Sequence, residues 1–141
     1  MDLIKITPNS EKARSILKMV LLIEERINIQ GKSKMAALIV ADYYEAIKEL
    51  ATALLLMDGY KTLSHRDLIE YLKKYKEFTD FELTLLDDLR VLRNRIAYDG
   101  FFVDPSYLER NESTLRKIIA ILKTIVNEKI DFKENKKEEK Q

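Results

Sequence analysis

The segment from Arg90 to Gly100, which reads RVLRNRIAYDG, places three arginines and an asparagine on an otherwise apolar frame. At about 100° per residue, a helix through this segment divides its side chains between two faces. One face is an apolar stripe with Arg93 at its rim; the stripe consists of Leu85, Leu89, Leu92 and Ile96. Beside it lies a second arc made by Asp87, Arg90, Asn94 and Tyr98. The segment therefore predicts a helix with one core face and one polar face.

Arg93 has two interpretations. A guanidinium stays charged and forks onto phosphate oxygens, so Arg93 is a candidate phosphate ligand. It is equally a candidate for the edge of the core, where a buried charge needs an acid partner. The acids available on the preceding long helix are Asp42, Glu45 and Glu49. Asn94 and Tyr98 either line a cleft at a dimer interface or form a surface pair one turn apart. Arg90 and Asp87 are expected to form a surface ion pair.

The composition excludes several other kinds of chemistry. The chain has no cysteine and one histidine, His65, which excludes disulfides, a thiolate nucleophile, multi-histidine metal sites and the usual catalytic triads. No metal or cofactor is expected. The net charge of +1 provides no field over the whole protein, so anion binding requires a local patch. Because no signal peptide or spanning apolar run is found, we expect a soluble, cytoplasmic protein.

Apolar spacing and capping signals predict the elements that position these residues. A first helix begins at Asn9 or Ser10, whose side chains can accept from free N–H groups, and ends at a left-handed cap near Gly31. A second helix runs from Ser33 to about Met57. Both are long enough to cross a small domain.

Three further helices follow. A short one starts at Ser64 with a capping box, in which Asp67 bonds back to the cap. The helix that carries Arg93 begins at Thr79 and fades at Gly100, and the last helix opens at Pro105. We therefore predict an all-α fold, an antiparallel up-and-down bundle of four long helices plus one short helix.

The predicted bundle occupies residues 1–132. Residues 133–141 carry only charged and amide side chains, so we expect a disordered tail that cannot bury apolar surface. Tyr43 and Tyr44 of the second helix are expected to pack in the core or an interface rather than to stack on bases.

From Ala36 to Gly100 the chain resembles the HEPN superfamily of all-α bundle proteins. The resemblance rests on ADYYEAIK at 41–48, LLLMDGY at 54–60 followed by Ser64 and His65, and RNRIAY at 93–98. The family motif is an arginine, an adjacent polar residue that is often asparagine, and a histidine five positions after the arginine. Arg93 and Asn94 match this motif, whereas Tyr98 stands where the histidine is expected.

The resemblance implies a homodimer in which the two motif helices face each other. It also implies metal-independent RNA cleavage, and in some relatives a minimal nucleotidyltransferase partner of the toxin–antitoxin type. The reference pKa of tyrosine is about 10, which makes Tyr98 a poor replacement for a histidine base. His65 is the one alternative imidazole, and its expected role is in a capping turn. Gly100 occupies the position of the tyrosine that is modified in some relatives.

We therefore expect an RNA- or nucleotide-associated module, a degenerate or weak metal-independent endoribonuclease, with Arg93, Asn94 and Tyr98 as site residues at a homodimer interface. The alternative is a non-enzymatic partner of a minimal nucleotidyltransferase.

Overall fold

The computed structural model describes residues 1–139 and is mainly helical. Its helices are α1 (Ser10–Ile29), α2 (Ala36–Asp58), α3 (His65–Leu72), α4 (Asp80–Asp99) and α5 (Ser106–Glu139). Two strands of two residues each, β1 (Ile4–Lys5) and β2 (Tyr60–Lys61), pair antiparallel, with Ile4 opposite Lys61. The all-α class predicted from the sequence is correct. Within residues 1–139, no helix is both long and apolar enough to span a bilayer.

Helix α2 lies at the centre of the fold. It packs against α1, α3, α4 and α5, and most of its side chains are buried. A helix that is apolar on nearly every side has to be covered on nearly every side, which explains this central place. Leu50 and Leu54 of α2 are fully buried, as are Val20 of α1, Leu89 of α4 and Leu122 of α5. Tyr43 and Tyr44 are buried too, so their predicted packing role is confirmed.

Side chains and one glycine fix the ends of the helices as the sequence predicts at several points. Asn9 caps α1 by accepting from the backbone N–H of Lys12 at 3.0 Å. Thr79 and Glu82 form a complete capping box at the start of α4. Gly59 ends α2 in the left-handed conformation with φ of 87°, and its carbonyl oxygen accepts from the N–H of Ile6 at 2.9 Å. This bond connects the N-terminal segment to the end of the central helix.

The turn between α1 and α2 differs from the sequence prediction. Helix α1 ends at Ile29 with Gln30 as its cap, and Gly31 is not left-handed. The Gln30 side-chain amide donates to the carbonyl oxygen of Arg26 at 3.0 Å and to the carboxylate of Asp42 at 2.7 Å. A side-chain donor therefore satisfies the end of α1 without a glycine cap. Helix α2 begins at Ala36 rather than Ser33.

The start of α3 forms half of the predicted capping box. Ser64 accepts from the N–H of Asp67 at 3.2 Å. The Asp67 carboxylate does not bond back; it accepts instead from the backbone N–H of Asp2 at 3.2 Å. A tertiary contact with the N-terminal segment has replaced the local one.

The prediction of a disordered tail is wrong for residues 133–139, because α5 continues through Glu139. Lysine and glutamate are strong helix formers, and two contacts hold this last part of the helix. Lys133 donates to the carbonyl oxygen of Pro8 at 2.6 Å, and Glu134 forms an ion pair with Arg14. The predicted domain boundary at residue 132 therefore falls inside a continuous helix. Residues 140–141 of the predicted tail lie outside the described residues.

Candidate functional site

Helix α4 leaves the core as it approaches its C-terminus. Leu85 and Leu89 of the predicted stripe are buried, whereas Leu92 and Ile96 are half-buried against the core. Tyr98, the second-last residue of α4, is 79% exposed. The motif segment therefore begins at the edge of the core and ends in solvent, which leaves its polar arc open along its length.

Arg93 lies over an aromatic ring of the central helix. Its guanidinium carbon is 5.8 Å from the centroid of the Tyr44 ring, a cation–π contact. One guanidinium nitrogen donates to the side-chain oxygen of Asn94 at 3.5 Å, a long hydrogen bond. The half-buried Arg93 side chain is thus held by a ring and an amide, both of which are neutral.

The acids that could neutralise Arg93 bind other residues. Asp42 pairs with Arg26 at 2.7 Å, and Lys48 pairs with Glu45 at 2.9 Å and Glu49 at 3.6 Å. Within residues 1–139, Arg93 forms no salt bridge. The predicted alternative in which Arg93 pairs with an acid of α2 is therefore not found.

Tyr44 connects Arg93 to His65. Tyr44 is 3% exposed, and burial raises its pKa to about 12 against the opposing effect of Arg90 and Arg93. The His65 ring lies 5.9 Å from the Tyr44 ring at an angle of 46°. Tyr44 is thus a neutral phenol with a guanidinium and an imidazole as neighbours. We call Tyr44, His65, Arg90, Arg93 and Asn94 the Arg93 cluster.

The surroundings of His65 disfavour the charged form of its imidazole. Burial lowers the pKa of His65, and the positive charges of Lys48 and Arg93 lower it further. His65 is therefore mainly neutral near pH 7, the form that can accept a proton. It is also the first residue of α3, as its capping-turn prediction requires.

The sequence did not predict that His65 and Tyr44 belong to this cluster. They are on α3 and α2, far apart from α4 in the chain, and helical periodicity relates residues only within one helix. The pairing of Tyr44 and His65 with Arg93 depends on how α2, α3 and α4 pack.

The polar arc of α4 carries Asp87 and Tyr98 beside the cluster residues Arg90 and Asn94. Arg90 forms the predicted ion pair with Asp87, with a distance of 3.1 Å. Asn94 is half-buried beside Arg93, and no hydrogen bond joins it to Tyr98 among the residues that the structure describes. A hydrogen-bonded surface pair of Asn94 and Tyr98 is therefore not found among the described residues, and their place in a dimer-interface cleft stays a prediction.

A cleft of about 810 Å³ lies elsewhere, between the end of α2 and the last part of α5. Its lining includes Met57, Tyr75, Ile125 and Phe132, and contains none of the predicted site residues. In residues 1–139 no group of three metal-ligating side chains comes together. The chemistry that the Arg93 cluster offers is therefore that of a guanidinium, an amide and an imidazole.

The chain matches no protein-family model, no curated protein and no solved structure.

Proposed function

We propose that this protein is a HEPN-like helical module that binds RNA phosphate at the Arg93 cluster, and that it is a weak or inactive metal-independent endoribonuclease. The proposal includes a homodimer with the two copies of α4 facing each other, an antiparallel four-helix arrangement of the family type, and a cytoplasmic location. One observation carries it: a half-buried arginine beside the motif asparagine has no acid partner within residues 1–139.

A buried or half-buried guanidinium is normally neutralised by a carboxylate, because desolvating an unpaired charge is unfavourable. Arg93 instead lies against the face of Tyr44, which attracts a cation without neutralising it. An arginine held in this way keeps its hydrogen-bond donors for an incoming anion. A phosphate group, with several acceptor oxygens, suits such a site.

The site contains no strong base at the motif position. RNA cleavage without a metal requires a group that removes the proton of the attacking 2′-hydroxyl. At that position Tyr98 supplies a phenol in place of the imidazole of the family motif. Phosphate binding without efficient proton transfer is therefore the expected behaviour.

The experiment compares two arginines that lie over tyrosine rings. Arg93 is 5.8 Å from the ring of Tyr44, and Arg116 is 5.6 Å from the ring of Tyr43. Arg116 contacts Glu112 at 3.5 Å and Asn28 at 2.9 Å, so its charge is already shared. Affinity for a fluorescent single-stranded RNA should fall about tenfold or more in Arg93→Ala, the effect of losing a hydrogen bond to a charged group. It should stay near the wild-type value in Arg116→Ala.

Equal affinity of wild type and Arg93→Ala would overturn the phosphate site. A cleavage assay on the same RNA tests the second half of the proposal. Robust cleavage by the wild type, abolished in Arg93→Ala, would overturn "weak or inactive" while keeping the site. Sedimentation of the wild type tests the homodimer.

The alternative function is that of a non-enzymatic partner of a minimal nucleotidyltransferase. The observation in its favour is Tyr98, whose 79% exposed side chain is accessible to another protein. Co-purification with such an enzyme, lost in Tyr98→Ala but kept in Arg93→Ala, would favour this function over RNA binding.

A further inference from the structure

The C-terminal end of α4 carries aromatic side chains that the protein itself does not cover. Tyr98 is 79% exposed and Phe102 is 85% exposed, and Phe101 is 36% exposed beside them. A single exposed apolar residue needs no explanation, but three exposed aromatic side chains within the five residues 98–102 are a candidate interaction surface. We call Arg95, Tyr98, Phe101 and Phe102 the aromatic platform.

The backbone fixes one part of the platform, the contact between Phe101 and Arg95. Gly100 ends α4 in the left-handed conformation with φ of 62°, which reverses the chain direction at low steric cost. The N–H groups of Gly100 and Phe101 both donate to the carbonyl oxygen of Arg95. This turn places the Phe101 ring 3.8 Å from the guanidinium carbon of Arg95. The ring and the guanidinium are therefore stacked before any ligand arrives.

Half-buried Val103 packs against the core immediately after the platform. The connector is thereby fixed on both sides, by the helix cap before Phe101 and by this contact after Phe102. A preorganised surface loses little conformational entropy on binding.

The charge of this region suits a polyanion. Asp99 is the only acidic residue between Arg90 and Val103. Arg90 shares its charge with Asp87, but Arg93 and Arg95 form no salt bridge among the residues that the structure describes. One unneutralised guanidinium, that of Arg95, thus lies against an exposed ring, and a second, that of Arg93, is two residues earlier on the same helix.

We infer that the aromatic platform stacks the unpaired bases of a single-stranded polynucleotide that runs on from the phosphate at Arg93. The combination of exposed rings, an arginine stacked on a ring and free positive charge is the one that binds single strands through their bases and backbone. Bases in a duplex are stacked on each other and cannot reach the platform. This inference rests on the proposed phosphate site, and it adds the form of nucleic acid and a second set of contacts.

The experiment uses Phe102→Ala and a matched control. Phe81, at the N-terminal end of α4, is 68% exposed, so Phe81→Ala removes the same type of side chain at the opposite end of this helix from the platform. Binding of the intact chain and each variant is measured with a short oligoadenylate, the duplex of equal length, and inorganic polyphosphate. Phe102→Ala should weaken oligoadenylate binding about fivefold or more, the effect of losing one stacked ring. Binding of polyphosphate should not change, and Phe81→Ala should resemble the wild type throughout.

Two further variants distinguish stacking from general apolar contact. Phe102→Trp keeps a stacking surface and should retain oligoadenylate affinity, whereas Phe102→Leu should lose it as Phe102→Ala does. If Phe102→Leu binds as the wild type does, stacking is excluded.

The outcomes also separate this inference from the proposed function. Lower affinity in Arg93→Ala with no change in Phe102→Ala would overturn the platform and leave the phosphate site in place. Lower affinity in Phe102→Ala with no change in Arg93→Ala would overturn the phosphate site and support base stacking alone. A shift in sedimentation of Phe102→Ala, with oligoadenylate binding unchanged, would assign the platform to a protein interface and overturn the inference.

Discussion

The guanidinium carbon of Arg93 lies 5.8 Å from the centroid of the Tyr44 ring. The carboxylates of α2 that could neutralise Arg93 are instead paired with Arg26 and Lys48; they are those of Asp42, Glu45 and Glu49. An aromatic ring fixes the position of a cation without neutralising its charge, whereas a carboxylate would neutralise that charge. Whether its charge is neutralised therefore determines whether Arg93 is a structural residue or one that can bind an anion. Two predictions test the arrangement around Arg93, and two test the bundle that positions it.

The His65 imidazole reports on the Arg93 cluster because it is the only histidine of the chain. Its pKa is lowered by burial and, in addition, by the charges of Lys48 and Arg93. Arg93→Ala removes one of these charges, so we expect the pKa of His65 to rise towards its ordinary value. The measurement is the pH titration of the His65 ring protons by NMR.

Arg116→Ala is the control for this titration, since Arg116 contacts the ring of Tyr43 rather than that of Tyr44. It should leave the His65 pKa unchanged. A His65 pKa that is the same in wild type and Arg93→Ala would contradict the proximity of the two side chains.

Tyr98→His restores the motif histidine at a position that is 79% exposed, where no packing contact is lost. A histidine has a reference pKa of about 6.5 and can exchange a proton at neutral pH. We expect RNA cleavage to increase over the wild type, with the rate following the deprotonation of the new imidazole. The double variant Tyr98→His with Arg93→Ala should return to the background rate. No gain in the single variant would mean that more than the proton acceptor is missing.

Asp58 joins three elements at the far end of the bundle. Its carboxylate accepts from Tyr71 at 2.6 Å, Tyr75 at 2.5 Å and Lys129 at 2.6 Å. Burial alone would raise the pKa of Asp58, but these hydrogen bonds outweigh burial and lower it. A lowered carboxyl pKa stabilises the fold above the unfolded value of about 3.9, and this stability is lost as the pH falls through the folded pKa.

Asp58→Asn should therefore lower the free energy of unfolding at neutral pH by about 2 kcal/mol, as expected for weakened hydrogen bonds to a charged group. It should also reduce the loss of stability on acidification, measured by urea unfolding at neutral pH and near pH 3. Asp99→Asn, at the exposed end of α4, is the control and should change neither quantity. The same acid sensitivity in Asp58→Asn and wild type would refute the role of this carboxylate.

Gly59 and Gly31 form a matched pair of glycines in turns. Gly59 has φ of 87°, and a Cβ there would lie 3.3 Å from the carbonyl oxygen of Ile6. Gly31 is not left-handed, and a Cβ there would meet nothing within 4 Å. Gly59→Ala should destabilise the protein by about 1–2 kcal/mol, the energy of a left-handed conformation for an L-residue. Gly31→Ala should be neutral or slightly stabilising, because it restricts the unfolded chain. Thermal unfolding measures both, and equal effects would contradict the assigned cap.

The sequence predicted most of the elements because their signals are local. Asn9, Thr79 and Gly100 were identified as helix ends from residue type, and the structure places each at an end. Two errors occurred where a distant residue supplied the bond: Asp67 accepts from Asp2, and Lys133 bonds to Pro8 where a disordered tail was expected. A third occurred at the end of α1, where the side-chain amide of Gln30 donates to the carbonyl oxygen of Arg26 in place of a glycine cap.

The candidate site also has one part that local signals predict and another that depends on how the helices pack. The sequence by itself determined the helix that carries Arg93 and Asn94 and the polar arc beside its core stripe, since both follow from spacing along one helix. Only the tertiary structure decided that Arg93 lies over the ring of Tyr44 and that His65 lies beside the same ring. It also decided that the acids of α2 pair with Arg26 and Lys48 rather than with Arg93. Helical periodicity fixes which way a side chain points, but the choice of partner depends on the packing of whole helices, to which every core residue contributes.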